Sequence, residues 1–390
     1  MNDLWTETGW VSLNKAGETL CGDRVEISGG GEGDTTLVLA DGLGSGVKAN
    51  ILATLTSKIA CTMAAGGMPV DECVQTLAAT LPVCSVRQAA YSTFTIIRIL
   101  ENKTAHIIQF DNPATIVLRG GEEFKYPKTT RVIHDKTIWE STFPVKEGDL
   151  FVAMSDGAEF AGLGVTMNFG WTRDSIADFL IGNYQPDASA KAVAGLVADE
   201  CGSLYGGKPG DDTTIAVLRI RPRRSVSLMV GPPEKRADDM KMLNLFFAKE
   251  GQKIVCGGTT SNLASRYLGK PLVPCLDYPD PDVPPISTLK GVDLVTEGVV
   301  TLSKVLTYAK DFLETASLAP KWQNGKDGAS QIARMLFEDA TDISFFVGRA
   351  INPAHQNPNL PITFSVKQQL IQALGDCLKQ MGKHIRLSYF

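Results

Sequence analysis

The sequence lacks the features that would place it in a membrane, on a nucleic acid or in a disulfide scaffold. No apolar run approaches the roughly 18 residues of a spanning helix, and the amino terminus lacks the basic-then-apolar layout of a signal peptide. The eight cysteines form no Cys-x-x-Cys pair, which argues against a zinc knuckle or a disulfide framework. The net charge of −5 argues against a nucleic-acid surface. We therefore expect a cytoplasmic protein with no membrane or nucleic-acid partner.

The length of 390 residues suggests two domains, and the composition locates a boundary near residue 222. A cationic, proline-interrupted segment at 219–224 separates an apolar run at 214–218 from a second strand-like run at 226–230. Such a segment is typical of a linker between units that have their own cores. The predicted domains are therefore 1–222 and 223–390.

The first domain has its strands and helices in separate groups. Strand-like stretches are found at 35–40, 92–100, 104–111, 115–119 and 150–155. Helical patterns are found at 47–65, 70–81, 175–183 and 188–204. This grouping predicts an α+β domain with two sheets covered by helices and not a βαβ repeat.

The second domain alternates between strands and helices. The strands are predicted at 226–230, 253–256, 292–295, 343–347 and 384–388. The helices are predicted at 234–250, 260–268, 298–316, 328–340 and 366–382. This alternation predicts an α/β domain with a mainly parallel sheet and helices on both faces. Six of the seventeen residues at 271–287 are proline, which predicts an extended surface loop there.

Aspartates mark the ends of several buried strands in the first domain. The candidates lie in the motifs Gly-Asp, Asp-Gly-Leu-Gly-Ser-Gly, Ser-Asp-Gly and Gly-Asp-Asp-Thr-Thr, as residues Asp23, Asp41, Asp156, Asp211 and Asp212. Strand ends are rigid and can hold carboxylates from different strands at one rim, where they would repel each other unless cations lie between them. An Asp-Gly pair taken alone is also a common turn signal. The repeated placement at strand ends favours a shared site.

The chemistry of such a site favours hard divalent cations. Oxygen ligands without nearby Cys or His select Mg²⁺ or Mn²⁺ over zinc. Gly42, directly after Asp41, lets the backbone approach an ion and offer its own carbonyl. Two such ions could hold a phosphate and activate a water molecule as the nucleophile.

The order and spacing of these motifs resemble the metal-dependent type 2C serine/threonine phosphatases. The bacterial branch typified by stage II sporulation protein E is the most similar, because a helix follows the glycine-rich motif directly and Asn112-Pro113-Ala114 forms a comparable turn. The resemblance covers about residues 8–220 and implies a β-sandwich flanked by helices, with the metal site at one edge.

The resemblance also implies a role for each aspartate. Asp41 would bridge two metal ions, the Gly42 carbonyl would bind one of them, and Asp156 and Asp211 would complete the shell of the other. Asp23 would bind a metal ion directly or through a water molecule. Asp212 would contact the metal-binding residues without binding an ion itself. The chain departs from the eukaryotic pattern in one respect: a phosphate-binding arginine is missing before the first motif, where the nearest cation is Lys15.

The function implied is hydrolysis of phosphoserine or phosphothreonine on a protein by metal-activated water, under control of the second domain. The resemblance suggests an anti-sigma-factor antagonist as the substrate. Two alternatives stay open at this point. One is a pseudo-phosphatase that serves as a signalling or binding module. The other is a second domain that carries the main activity, on a nucleotide or another small ligand.

Glycine and polar residues follow the predicted strands of the second domain. Because ligands bind where the carboxyl ends of parallel strands meet, we predict one cleft for a small anionic ligand. Backbone N–H groups at a helix N-terminus and an arginine would bind the anion. The candidate residues are Gly257, Gly258, Thr259, Thr260, Glu297, Arg349, Asn352, His355 and Asn357. The alternative is that these residues only cap helices.

Overall fold

A computed structural model describes residues 3–29, 33–80, 92–133, 136–314, 322–350 and 366–390. The chain divides into two compact units, Met1–Pro222 and Arg223–Phe390. Within the described residues, every helix is too short or too polar to cross a membrane.

The first unit contains a six-stranded antiparallel sheet. In spatial order its strands are β2 (Asp23–Gly29), β3 (Thr35–Gly42), β4 (Ser92–Leu100), β5 (Thr104–Phe110), β9 (Lys136–Pro144) and β8 (Thr129–Ile133). Strand β3 is apolar on both faces because both faces are covered, so Leu37 and Leu39 point one way and Val38 and Ala40 the other.

A five-stranded antiparallel sheet faces the first one. Its strands, in spatial order, are β1 (Leu4–Leu13), β11 (Thr213–Pro222), β10 (Leu150–Met154), β6 (Ile116–Arg119) and β7 (Glu122–Glu123). Residues from the inner faces of both sheets, including Leu37, Ile97, Phe151 and Leu218, form one core. This arrangement is a β-sandwich.

Helices cover the outer face of each sheet. Helices α1 (Gly46–Ala65) and α2 (Val70–Thr80) pack on the six-stranded sheet. Helices α3 (Asp156–Glu159), α4 (Arg173–Asn183) and α5 (Ala190–Leu204) lie on the five-stranded side. The predicted α+β class and helix-flanked β-sandwich are confirmed.

The strands that the sequence pattern missed are the polar or weakly alternating ones. Strand β8 is almost entirely exposed, so it has no apolar face that periodicity could detect. The predicted linker begins too early, since Arg219 and Arg221 are buried within β11. Arg221 forms a buried ion pair with Glu7 of β1 at 3.1 Å, which explains how a cationic run can continue a strand.

The second unit is built on a seven-stranded sheet. In spatial order its strands are β14 (Val273–Pro274), β15 (Ser287–Leu289), β16 (Val292–Thr296), β13 (Gln252–Cys256), β12 (Ser225–Val230), β17 (Asp342–Val347) and β18 (His384–Tyr389). The five strands from β16 to β18 are parallel, and β14 and β15 add an antiparallel edge. The prediction of a mainly parallel sheet is confirmed.

Helices lie on both faces of this sheet. Helices α6 (Asp239–Phe247) and α7 (Gly258–Leu268) pack on one face. Helices α8 (Val299–Glu314), α9 (Gly328–Ala333) and α10 (Val366–Gln380) cover the other. The helix predicted at 234–250 starts with a 3₁₀ turn at Arg236–Asp238, and the one predicted at 328–340 ends in a π-helical turn at Arg334–Asp339.

The proline-rich stretch at 271–287 is not wholly a surface loop. It contributes β14 to the edge of the sheet, where a proline that lacks an N–H is tolerated. Val283, within the same stretch, is buried in the larger core of the unit. Apolar residues between the prolines therefore anchor the segment.

The strand order of the second unit determines where a ligand can bind. The chain builds outward from β12 to β13 and β16, then returns to the other side of β12 to add β17 and β18. Such a reversal opens a crevice at the carboxyl ends of the central strands. The carboxyl edge of β12, β13 and β16 is therefore the expected position of a binding site.

Candidate functional site

Asp23 and Asp41 lie opposite each other on neighbouring strands. Asp23 is the first residue of β2, and the antiparallel register pairs it with Asp41 near the end of β3. Residues paired directly across two strands present their side chains on the same face, about 5 Å apart at the Cβ atoms. The sheet therefore places two carboxylates side by side at one edge.

Ser155 connects the two sheets at this edge. Its Oγ donates a hydrogen bond to Asp23 Oδ2 at 2.7 Å and accepts one from the Thr214 backbone N–H at 2.9 Å. Ser155 follows β10, and Asp156 comes next as the first residue of α3. The hydroxyl therefore positions the carboxylate of Asp23 against the strand end that carries Asp156.

Two glycines let backbone segments approach closely around the carboxylates. A Cβ at Gly42 would lie 2.1 Å from the carbonyl oxygen of Ala49 in α1. A Cβ at Gly157 would lie 2.2 Å from the carbonyl oxygen of Asp212. Any side chain at either position would push the neighbouring backbone away, so the glycines of the Asp-Gly motifs are sterically required.

Asp211 and Asp212 approach the same edge from the turn before β11. The Asp212 side chain is buried and accepts a hydrogen bond from the Lys15 backbone N–H at 3.0 Å. Asp211 is more exposed, and its Oδ1 lies 3.5 Å from Lys15 Nζ. Lys15 is therefore a cation at the rim of the acidic cluster, in the region where the related eukaryotic motif has an arginine.

Burial and mutual repulsion raise the pKa values of three carboxyl groups, those of Asp23, Asp41 and Asp156. The pKa of Asp41 is well above its ordinary value because the group is desolvated and lies near Asp23, Asp156 and Asp211. The pKa of Asp156 is also raised, first by burial and then by Asp211. Burial raises the pKa of Asp23 against the opposing hydrogen bonds from Ser155 and Thr214. Without a cation, the raised pKa of Asp41 therefore favours its protonated form beside Asp156.

The donor set fits divalent cations. Asp23 Oδ1 and Asp212 Oδ2 are buried and have no hydrogen-bond partner among the described residues, and an unpaired buried oxygen of this kind is costly unless something binds it. In the described part of the chain, no three acidic, His or Cys side chains converge tightly enough to enclose an ion by themselves. An ion here would take one or two carboxylates and complete its coordination with water, as Mg²⁺ commonly does.

The structure brings Asp23, Asp41, Asp156 and Asp211 into mutual electrostatic contact, with Asp212 beside Asp23. Sequence reasoning missed the positioning role of Ser155 and the position of Lys15 beside Asp211. The serine had a signal, because it directly precedes the aspartate at the end of a buried strand. The contact between Lys15 and Asp211 had no sequence signal, because 196 residues separate the two along the chain.

The second unit has a cavity of about 290 Å³ at the carboxyl edge of its sheet. It is lined by Gly231, Gly257, Gly258, Thr259, Thr260, Glu297 and Lys367, among other residues. The structure thus brings together five of the predicted ligand-binding residues, and it adds Lys367, which the sequence did not suggest.

Arg349 does not line this cavity. Its backbone N–H donates to the Phe390 carbonyl, and its guanidinium lies 5.5 Å from the ring centroid of Tyr389 in β18, the strand at the edge of the sheet. Asn352, His355 and Asn357 lie outside the described residues.

Two facing sheets with outer helices and a carboxylate cluster at one edge define a type 2C phosphatase domain. Residues 31–221 match the family model of stage II sporulation protein E, SpoIIE. Residues 31–221 therefore form a phosphatase domain of the SpoIIE type, a family of serine/threonine protein phosphatases. No curated protein matches the chain.

Several solved structures are similar to the first unit. One contains the phosphatase domain and part of the regulatory domain of SpoIIE from Bacillus subtilis, with 22% identity and a TM-score of 0.48 over 56% of this chain and 64% of that one. A second, of the phosphatase domain alone from the same organism, has 21% identity and a TM-score of 0.44 over 57% and 95%. The catalytic domain of PstP, a serine/threonine phosphatase in complex with two manganese ions, has 16% identity and a TM-score of 0.37 over 56% and 99%.

Proposed function

We propose that the first unit removes phosphate from phosphoserine or phosphothreonine on a regulatory protein, with two Mn²⁺ or Mg²⁺ ions as cofactors. The observation that carries this proposal is the cluster of Asp23, Asp41, Asp156 and Asp211 at one sheet edge. The raised pKa values of Asp23, Asp41 and Asp156, with the Asp23 oxygen that has no partner among the described residues, support a site that is electrostatically incomplete without cations.

Asp41 is central to this assignment because it interacts with Asp23, Asp156 and Asp211. It would share the two ions, with the Gly42 carbonyl on one of them and Asp156 and Asp211 on the other. Asp23 is held in place by Ser155, and Asp212 fixes the backbone of Lys15. Divalent ions bound here would add positive charge beside the phosphate and lower the pKa of water.

The residues of the chain have two further tasks in the reaction. The proton that Asp41 holds in the metal-free state must leave before a cation can take its place. Lys15 Nζ, at the rim beside Asp211, can attract and orient the dianionic phosphate group. Lys15 is partly exposed, so its contribution to phosphate binding is modest compared with that of the ions.

A protein substrate is supported by the surface next to Asp156. The segment after α3 exposes several large apolar side chains, and the most exposed are Val165 at 72% and Phe169 at 86%. Phe160 and Leu163 add to the same segment. Apolar side chains exposed beside an active site are typical of protein docking. We propose a phosphorylated anti-sigma-factor antagonist as the partner, following the family resemblance.

The alternative is a pseudo-phosphatase that binds a phosphoprotein without hydrolysing it. The experiment that separates the two uses the full chain, a phosphoserine peptide and Mn²⁺, with phosphate release as the readout. Phosphate release that EDTA stops and added Mn²⁺ restores supports catalysis. Peptide binding without phosphate release under the same conditions would establish the pseudo-phosphatase.

We also propose that the second unit controls the phosphatase. A ligand can exert such control only if its affinity differs between two arrangements of the chain. The test measures peptide hydrolysis in rising sulfate, a phosphate mimic, at constant ionic strength. A change in rate that is present in the wild-type chain and absent in Lys367→Gln supports control. Identical responses in both proteins would contradict it.

A further inference from the structure

We infer that the second unit binds a small phosphomonoester, with its phosphate at the Gly257–Thr260 turn beside Lys367 and a hydroxyl or amine of the ligand at Glu297. This site is separate from the carboxylate cluster and goes beyond the proposed phosphatase function. It lies where the strand order predicts a ligand, at the carboxyl ends of β12, β13 and β16.

The turn after β13 presents unpaired donors. Gly257 has a φ of +102°, a conformation that only glycine adopts readily, and it redirects the chain from β13 into α7. The first helical bond runs from the Ser261 N–H to the Gly257 carbonyl at 2.9 Å. The N–H groups of Gly258, Thr259 and Thr260 have no acceptor among the described residues. Three such donors at a helix N-terminus suit a phosphate group.

Thr260 provides an independent indication of a ligand. Its side chain is 1% exposed and lines the cavity, and its hydroxyl has no hydrogen-bond partner in the described part of the chain. Neighbouring hydroxyls are satisfied within the protein: Ser261 donates to the Gly257 carbonyl and Thr296 to the Glu297 carbonyl. A hydroxyl that is free within a buried side chain at a cavity wall is available to a ligand.

Lys367 adds a positive charge that the fold itself does not neutralise. It lies in the first turn of α10, where the helix dipole disfavours a cation. Its Nζ donates to the Ala350 carbonyl at 3.2 Å, and no carboxylate pairs with it among the described residues. Desolvation by burial lowers its pKa, which an anionic ligand would reverse. Gly231, whose φ is +77°, lies against this ammonium group: a Cβ built there would be 2.4 Å from Nζ.

Glu297 restricts the kind of anion that can bind. Its Oε2 accepts the Val300 N–H at 3.1 Å and thereby caps the start of α8. Its Oε1 has no partner among the described residues and is available to accept a hydrogen bond. A carboxylate in the cavity disfavours a second phosphate and favours a hydroxyl or amine. A volume of about 290 Å³ suits a ligand of the size of a sugar phosphate.

The test is a binding titration of the full chain in EDTA with ribose 5-phosphate, ribose and inorganic phosphate. We use an Asp41→Asn, Asp156→Asn background so that the carboxylate cluster cannot contribute. Ribose 5-phosphate should bind most tightly and ribose should not bind. Lys367→Gln should weaken binding at least roughly tenfold, because a charge-assisted contact is lost. Thr260→Val should weaken binding less, and Thr260→Ser should restore it.

The matched control is Lys379→Gln, which removes an exposed lysine from the same helix. It should leave the affinity unchanged. The proposal is overturned if ribose 5-phosphate does not bind, or if Lys367→Gln and Thr260→Val bind it as well as the parent chain does. Equal affinity for ribose 5-phosphate and inorganic phosphate would overturn the role of Glu297. A failure of this titration leaves the proposed phosphatase function intact, because that function is measured by peptide hydrolysis.

Discussion

The acidic edge of the first unit and the cavity of the second unit differ in the sign of the charge that they present to a ligand. At the acidic edge, four carboxylates lie close together, and burial together with mutual repulsion raises the pKa values of Asp23, Asp41 and Asp156. At the cavity, backbone N–H groups have no acceptor and the half-buried Lys367 has no carboxylate partner among the residues that the structure describes. Each site is electrostatically incomplete, and the missing charge differs in sign. The comparison shows that the ligand class can be inferred from what the fold leaves uncompensated.

Substitutions at the two sites should differ most in their effect on the rate of peptide hydrolysis. Asp41→Asn or Asp156→Asn should lower peptide hydrolysis by roughly 10²–10³-fold or more, because each removes a charged group from the reacting centre. Lys367→Gln should stay within about threefold of wild type in the absence of its ligand, since it lies outside the catalytic unit. Phosphate release at saturating Mn²⁺ measures both.

The control for this experiment is Asp174→Asn, a surface carboxylate of the same unit with an 85% exposed side chain. It should keep full activity. Activity within threefold of wild type in either Asp41→Asn or Asp156→Asn would contradict the assignment of the carboxylate cluster.

The second prediction concerns the stability of the metal-free chain. Because the folded state raises the pKa of Asp41, it holds a proton that the unfolded chain releases above about pH 4. Stability should therefore fall as the pH rises from about 5 to 8 in EDTA. At pH 8, Asp41→Asn should raise the melting temperature by about 2–4 °C, which corresponds to about 1 kcal/mol in a unit of this size.

The same variant should differ little from wild type near pH 5, where Asp41 is already neutral. Added Mn²⁺ should stabilise the wild-type chain at pH 8 more than it stabilises Asp41→Asn, which loses at least one ion. Differential scanning calorimetry at both pH values measures these changes. A variant less stable than wild type at pH 8 in EDTA would show that repulsion is not the dominant effect at this residue.

Part of this comparison was predictable from the sequence. Asp41 lies at the end of the buried strand β3, and Asp156 lies just after the buried strand β10. The glycine that follows each aspartate helped to identify this edge of the sheets as a site. The sequence placed Ser155 beside Asp156 at the end of a strand, but its hydrogen bonds to Asp23 and Thr214 were not predictable, because they depend on how two sheets face each other. The fold class followed from the grouping of strands, whereas the exposed strand β8 carried no apolar pattern.

The second unit shows the same limit. Gly257–Thr260 and Glu297 were predicted because residues after parallel strands converge on one edge. Arg349 was the expected cation, but its backbone bond to Phe390 turns it toward Tyr389. The cation that lines the cavity is instead Lys367, in the first turn of α10. No sequence pattern gives a reason to expect a functional cation at that position.

A third prediction isolates the connection between the sheets. Ser155→Ala leaves Asp23 Oδ2 and the Thr214 N–H without their buried partner, so it should destabilise the chain by about 1–3 kcal/mol. It should also weaken Mn²⁺ binding, because Asp23 loses its positioning contact. Denaturant unfolding and metal titration measure the two effects. Ser203→Ala, on the exposed side of α5, is the control, and equal behaviour of the two variants would contradict the role of Ser155.

The smallest expected effect is at Lys15. Lys15→Gln should raise KM for a phosphopeptide by roughly fivefold or less and leave kcat nearly unchanged, since a partly exposed cation contributes little beyond attraction. The effect should shrink at high salt because the charge is screened. Lys103→Gln, at an exposed turn, is the matched control. A loss confined to kcat would show that Lys15 acts on the reacting atoms instead.

The most direct test of the central claim is a calorimetric titration of Mn²⁺ into the EDTA-stripped full chain at neutral pH. The account predicts two ions per chain, with release of the proton that Asp41 holds, so that the observed heat depends on the ionisation enthalpy of the buffer. Asp41→Asn should lose at least one ion and the buffer dependence. No Mn²⁺ binding to the wild-type chain, or unchanged binding to Asp41→Asn, would contradict the account.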